Sequence, residues 1–209
     1  MSATGKDWRE RVVAYIEAEA QPVDKFGHQP RLYALAAQIA QELMAEGKNC
    51  DDDVIFASAW MHDLGVFLGH RPSDPAELSR WDHVPYTLRR SEGLLREWGF
   101  PDAKQDAVAE AIRTHQPKDE PKTAEAVVLR DADILEQLGA VGALRALVKV
   151  GRDTRYKCYS DVVPVLRRAV VELPGKLRTE TARRLATPRV LALQGLLDAI
   201  EEEAGALLY

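Results

Sequence analysis

Residues 57–65, Ala57-Ser58-Ala59-Trp60-Met61-His62-Asp63-Leu64-Gly65, constrain this chain more than any other stretch. An apolar run ends abruptly in His62-Asp63, and the helix-stopping Gly65 follows. Adjacent imidazole and carboxylate groups at the end of a buried helix are costly unless something pairs with them. Together they suit a divalent transition metal. The plainer alternative is a helix end capped by its own Asp. The rest of the chain tips the balance towards the metal: His28 lies upstream, His83 and His115 downstream, and the pair Asp131 and Asp133 follows. His70 sits in a loop-like stretch and fits the pattern least.

The apolar share of 46% over 209 residues suffices for a sizeable core, in one largish domain or two small ones. A net charge of -5 with both signs interspersed lacks the basic face of a nucleic-acid binder. Cys50 and Cys158 have no CxxC spacing. They form neither a disulfide framework nor a Cys-based zinc site, so a reducing cytoplasm is expected. The N-terminus lacks the apolar core of a signal peptide, and no apolar run approaches membrane-spanning length.

The hydrophobic pattern is helical nearly throughout, so the expected fold class is all-α. Asp7 caps a first helix reaching about residue 20, with Trp8, Val12, Tyr15 and Ile16 on one face. A second helix starts near His28, carries Leu32, Leu35, Ala36, Ile39, Ala40 and Leu43, and closes through Gly47. Asp51-Asp52-Asp53 opens the third, where carboxylates suit the positive end of the dipole. A calcium loop is the weaker reading of this run, because the glycine and distal glutamate of an EF-hand are missing. Residues 54–61 are apolar nearly all round, which predicts the buried central helix. Residues 64–82, rich in Gly, Pro, Asp and Ser, form a long connection of the kind that often serves as a lid.

Helices are then expected over 84–98, from Pro101-Asp102 to His115, over 124–138 and over 140–150. A weak hairpin pattern covers 155–159. Residues 179–185 and 188–204 look like two helical segments, with Pro188 in a first turn and Leu191, Leu193, Leu196, Leu197 and Ile200 as the apolar stripe. That last amphipathic helix is expected to close the bundle, with a homodimer face as the alternative.

His28, His62-Asp63, His83 and His115 all fall at the edges of expected helices. Helix ends in a bundle can converge on one cavity. A His and Asp set without Cys favours manganese, iron, cobalt, nickel or magnesium-like ions over a structural zinc. Arg31, one turn from His28, could pair with a phosphate oxygen, or equally with a neighbouring helix. Lys118, Lys122 and Arg71 read as ordinary solvated surface, and Trp60, Trp81 and Trp98 as core or lid packing. Cys158 reads as a buried apolar residue.

This arrangement resembles the HD-domain superfamily of metal-dependent phosphohydrolases: a His, a later His-Asp doublet and a distant Asp. His28-Gln29-Pro30-Arg31-Leu32 looks like the "His-x-x-Arg-Val/Leu" opening of the small stand-alone bacterial HD hydrolases. Asp131-Ala132-Asp133-Ile134-Leu135-Glu136-Gln137-Leu138-Gly139-Ala140 is similar to their "Asp-Ala-Asp-x-Leu-Asp-x-x-Gly-Ala", with Glu136 as a departure. Leu185-Ala186-Thr187-Pro188-Arg189 echoes their "Leu-Ala-x-x-Arg".

The resemblance implies an HD-domain helical bundle, a single domain with extra C-terminal helices. Residues 1–27 would form an N-terminal helix and connection, 28–150 the metal-binding core and 151–209 a helical extension packed on it. It implies His28, His62, Asp63 and Asp133 as metal ligands. Asp131, two residues from Asp133 on a helix, cannot face the same ion, and is expected in a supporting or capping role, although the two could be exchanged. His83 and His115 fall where the two-metal branch has its extra ligands. With one ion they would instead contact phosphate or donate a proton.

The implied activity is hydrolysis of phosphate esters, nucleotide-like monoesters or diesters, by a metal-activated water. One or two divalent ions would serve as cofactor and a small phosphorylated substrate as partner. A di-iron oxygenase and a non-catalytic ligand-binding HD domain are the alternatives.

Overall fold

The computed structural model describes residues 7–152 and 156–209. All regular structure among them is helical, as the periodicity predicts. The chain divides into two compact units, Met1–Arg130 and Asp131–Tyr209, with the boundary inside one helix.

The first unit holds α1 (Trp8–Glu19), α2 (His28–Ala45), α3 (Asp52–Met61), α4 (Pro75–Leu78), α5 (His83–Glu97), α6 (Gln105–Arg113) and most of α7 (Ala124–Glu136). Its centre is α3, on which every residue from Val54 to Met61 is buried. Val12 and Ile16 of α1, Phe67, Leu95 and Ile112 join Met61 in the same core. Helix α3 packs against α1, α2 and α6, and this fixes where its last turn, and so His62-Asp63, can point. Asp7, Asp51 and Asp82 each accept a backbone N–H at the start of α1, α3 and α5. Lys48 N–H reaches Leu43 O while Gly47 adopts φ 83°, the glycine closure expected for α2.

The acidic run at the start of α3 is a clamp. Arg9 of α1 donates to Asp52 at 2.8 Å and Asp53 at 2.6 Å, Lys104 to Asp53 at 2.7 Å, and Tyr33 of α2 to Asp52 at 3.0 Å. The bonds from Arg9 and Lys104 hold the Asp53 carboxyl below its ordinary value of 3.8. A carboxyl lowered in this way stabilises the fold fully above its unfolded pKa and loses that contribution as pH falls through the folded one. Arg9→Met therefore costs roughly 0.5–1 kcal/mol at pH 7, discounted for partial exposure. In urea unfolding the deficit shrinks once pH drops below about 4; a deficit unchanged at pH 2.5 would count against the carboxylate origin.

Residues 64–82 are less irregular than their composition suggests. They contain a 3-10 turn, Leu64–Val66, and the short α4, capped by Asp74. His70 anchors this segment: its Nε2 lies 3.0 Å from Glu19 of α1 and its Nδ1 2.8 Å from the Tyr86 hydroxyl of α5.

The second unit comprises the end of α7, α8 (Gly139–Leu147), α9 (Tyr159–Glu172) and α10 (Glu180–Glu203), with α8, α9 and α10 in mutual contact. Residues 179–185 and 188–204 are not two segments. Pro188 lies inside a continuous α10, and Thr179 caps that helix by accepting from Ala182 N–H. Proline removes one ladder bond, but Thr187 Oγ1 donates to Arg183 O and Arg189 Nη1 to Leu185 O around the gap. Packing against α8 and α9 carries the helix through.

The apolar stripe of α10 is narrower than the sequence suggests: Leu193 and Leu197 are buried, whereas Leu191 and Leu196 are exposed. Cys158 is the N-cap of α9 rather than a buried apolar residue, with the Asp161 carboxylate accepting from the Cys158 and Lys157 N–H groups. Of the hairpin pattern at 155–159, Arg155 lies outside the described residues, 156–158 carry no strand and Tyr159 begins α9. Among the described residues, no helix is long and apolar enough to cross a membrane.

Candidate metal centre

Four elements of the first unit deliver five polar side chains to one place. His28 is the first residue of α2, and His62-Asp63 close α3. His83 is the first residue of α5, and His115 follows the end of α6. His28 and His62 face each other with their Nε2 atoms 3.3 Å apart. Asp63 stands between the histidines: one carboxylate oxygen lies 3.8 Å from His28 Nε2, and the other 3.6 Å from both His62 Nε2 and His83 Nε2. The His115 ring packs edge-on against those of His62 and His83, at centroid distances of 5.1 and 5.5 Å.

Ring orientation follows from backbone carbonyls. His62 Nδ1 lies 3.0 Å from Ala59 O, and His115 Nδ1 2.7 Å from Ile112 O. A carbonyl only accepts, so each Nδ1 carries a proton, and Nε2 is the nitrogen left to offer a lone pair to an ion. The same arrangement orients histidines that bind metals. Lone pairs and carboxylate oxygens directed at a common point need a cation among them. The donor atoms of His28, His62 and Asp63 lie within 4.8 Å of one another, as do those of Asp63, His83 and His115. Asp63 belongs to both groups. With nitrogen and oxygen donors and no thiolate, the residues fit one or two ions of the manganese, iron, cobalt, nickel or magnesium type.

Burial alone would push the Asp63 carboxyl up, but His62, His28, His83 and Lys25 outweigh it and hold the group well below the usual carboxylate range. Lys25, in the 3-10 turn before α2, is a contributor that the sequence reading missed; its only signal is its position one turn ahead of His28. Arg130 is a second. It is buried, and it donates to Gln116 O at 3.2 Å and Pro117 O at 2.7 Å, tying down the loop that follows His115. The Arg31 guanidinium folds back over Gly27, with Nη1 2.9 Å from where a Cβ at that glycine would lie. His70 takes no part in the cluster and serves the Glu19–Tyr86 contact instead.

Asp131 and Asp133 fall in the second unit and differ from each other. Both Asp131 oxygens accept hydrogen bonds from the chain just before α10: from Arg178 N–H at 3.1 Å, and at Oδ2 also from Thr179 N–H and the Thr179 hydroxyl at 2.8 Å. Asp133, nearly buried, accepts from Gln137 Nε2 at 3.1 Å.

Residues 26–138 match the family model described as "HD domain". No curated protein matches the sequence. Among solved structures, Bacillus subtilis YpgQ in complex with ADP is 21% identical, with a TM-score of 0.71 over 96% of each chain. A predicted HD superfamily hydrolase from an uncultured Thermotogales bacterium is 22% identical, with a TM-score of 0.62 over 93% of this chain and 91% of that one. An HD-superfamily hydrolase from Bacillus thuringiensis is 16% identical, with a TM-score of 0.65 over 95% of this chain and 97% of that one.

Proposed function

The chain belongs to the HD-domain family, and from that premise we propose that it is a metal-dependent hydrolase of phosphate esters. The observation that carries the reading is the pair of donor groups sharing Asp63. Bound divalent ions would supply Lewis acidity towards phosphoryl oxygens and a water acidic enough to attack at neutral pH. His28, His62, Asp63 and Asp133 hold the first ion. His83 and His115, with Asp63, hold the second, or meet the substrate phosphate when only one ion binds. Arg31 offers a planar pair of donors to a non-bridging oxygen, and Asp131 keeps the supporting role that the family resemblance implies. The substrate class is nucleotide-like. The ADP held by Bacillus subtilis YpgQ supports starting there.

The test is metal analysis of protein purified without chelator, beside phosphate release from ADP, other phosphomonoesters and linear and cyclic diesters with added manganese. Bound metal with manganese-dependent phosphate release is expected. Two irons per chain with oxygen uptake and no phosphate release would replace this reading with an oxygenase. Protein that binds ADP but holds no metal and turns nothing over would replace it with a binding module.

A further inference from the structure

The two donor groups are built differently. His28 and His62 sit on α2 and α3, which pack directly on each other, and both rings are buried. His83 arrives only after residues 64–82, and its side chain is 17% exposed. Its distance from Asp63 must therefore be fixed by something other than the α2–α3 contact.

Both polar backbone groups of Gly65 are spent on the residues that bracket His83. Gly65 N–H donates to Thr87 Oγ1 at 3.0 Å, and Gly65 O accepts from Trp81 Nε1 at 2.8 Å. Trp81 lies two residues before His83, and Thr87 lies one helical turn after it. Thr87 is fully buried. Gly65 has no positive φ, so its backbone conformation does not demand glycine. Its close approach does: a Cβ there would lie 2.8 Å from His83 O, 2.9 Å from Thr87 Oγ1 and 3.0 Å from His83 Cβ. The turn that carries Asp63 is thus pressed against the first turn of α5 and pinned on both sides of His83.

We infer that Gly65, Trp81 and Thr87 are positioning residues that set His83 against Asp63, and that the Asp63–His83–His115 group holds its ion only while this clamp is intact. The inference rests on the two-group reading of the metal centre. Neither Trp81 nor Thr87 contributes a donor atom to either group. Loss of the clamp turns the His83 ring away from Asp63 and leaves the His28–His62–Asp63 group in place, so the two ions respond separately.

The test is calorimetric titration of the chelator-stripped full chain with manganese. Wild type takes up two equivalents. Thr87→Val, which keeps the shape and removes the acceptor, weakens one equivalent by about 10- to 100-fold, the range for partners that orient a ligand, and leaves the other unchanged. Thr87→Ser restores it. Trp81→Phe, which breaks the other bond at a half-buried position, gives the same selective loss should Thr87→Val fail to fold. Two equivalents of unchanged affinity in Thr87→Val and Trp81→Phe would overturn the clamp while leaving the proposed hydrolase intact. Equal weakening of both equivalents, or failure of Thr87→Ser to restore the lost one, would also overturn it. Wild type that binds no manganese would overturn the metal reading, and the clamp with it.

Discussion

Asp63→Asn abolishes uptake of both ions and lowers phosphate release by roughly a thousandfold or more, the order expected when stabilisation of transition-state charge is removed. Among the described residues only Asp63 belongs to both donor groups, so no other side chain among them should do this. His28→Ala, by contrast, removes one donor from the first group, and His83→Ala one from the second, so each should spare one equivalent of metal. The amide of Asn has nearly the shape of the carboxylate and leaves the packing of α3 untouched, so far-ultraviolet circular dichroism should not change.

The metal-free proteins should also differ, with a definite sign. The Asp63 carboxyl is held well below its ordinary pKa despite burial, by His62, His28, His83 and Lys25. Its ionisation therefore stabilises the folded chain above the unfolded pKa, and that contribution is lost as pH falls through the folded value. Metal-free wild type should be more stable than Asp63→Asn at pH 5, and the two should converge in strong acid. Full activity and two bound ions in Asp63→Asn would sink the shared-ligand reading.

Much of this was legible before the structure, for a physical reason. Helix α3 is apolar on every side, so it had to be central, and a buried helix ending in His62-Asp63 had to find partners there. His28, His83 and His115 mark helix edges in the sequence, and those edges converge in the structure. What was not legible depends on contacts between segments far apart in sequence. Gly65 reads as a helix stop, yet the space a Cβ there would need is taken by His83 and Thr87. Trp81 reads as packing, yet its indole N–H fixes a backbone carbonyl. Pro188 reads as a helix start, yet tertiary packing carries α10 through it. Leu191 and Leu196 fit the helical repeat as well as Leu193 and Leu197 do, and only the neighbouring helices decide which pair is covered.

Replacing Asp131 and Asp133 in turn should separate a fold-holding carboxylate from a metal-binding one. Asp131→Ala is expected to cost about 3–5 kcal/mol, the scale for removing one partner from a buried charged network. The side chain is fully buried, and its oxygens take the backbone N–H groups of Arg178 and Thr179 together with the Thr179 hydroxyl. Thr179 in turn caps α10 through the same hydroxyl, which accepts from Ala182 N–H. Truncation would leave buried donors unpaired and loosen the start of the longest helix in the second unit. Asp131→Asn should recover only part of this, since one carboxylate oxygen becomes a donor facing donors.

Asp133→Ala loses the hydrogen bond from Gln137, which lies four residues on, just past the end of α7. Asp133 is less deeply buried than Asp131, so its replacement should cost less, while affinity for the first ion and phosphate release collapse. Urea unfolding and manganese titration on the two variants therefore give opposite orders of severity. If Asp133→Ala unfolded as readily as Asp131→Ala while Asp131→Asn lost the metal, the two roles would have to be exchanged.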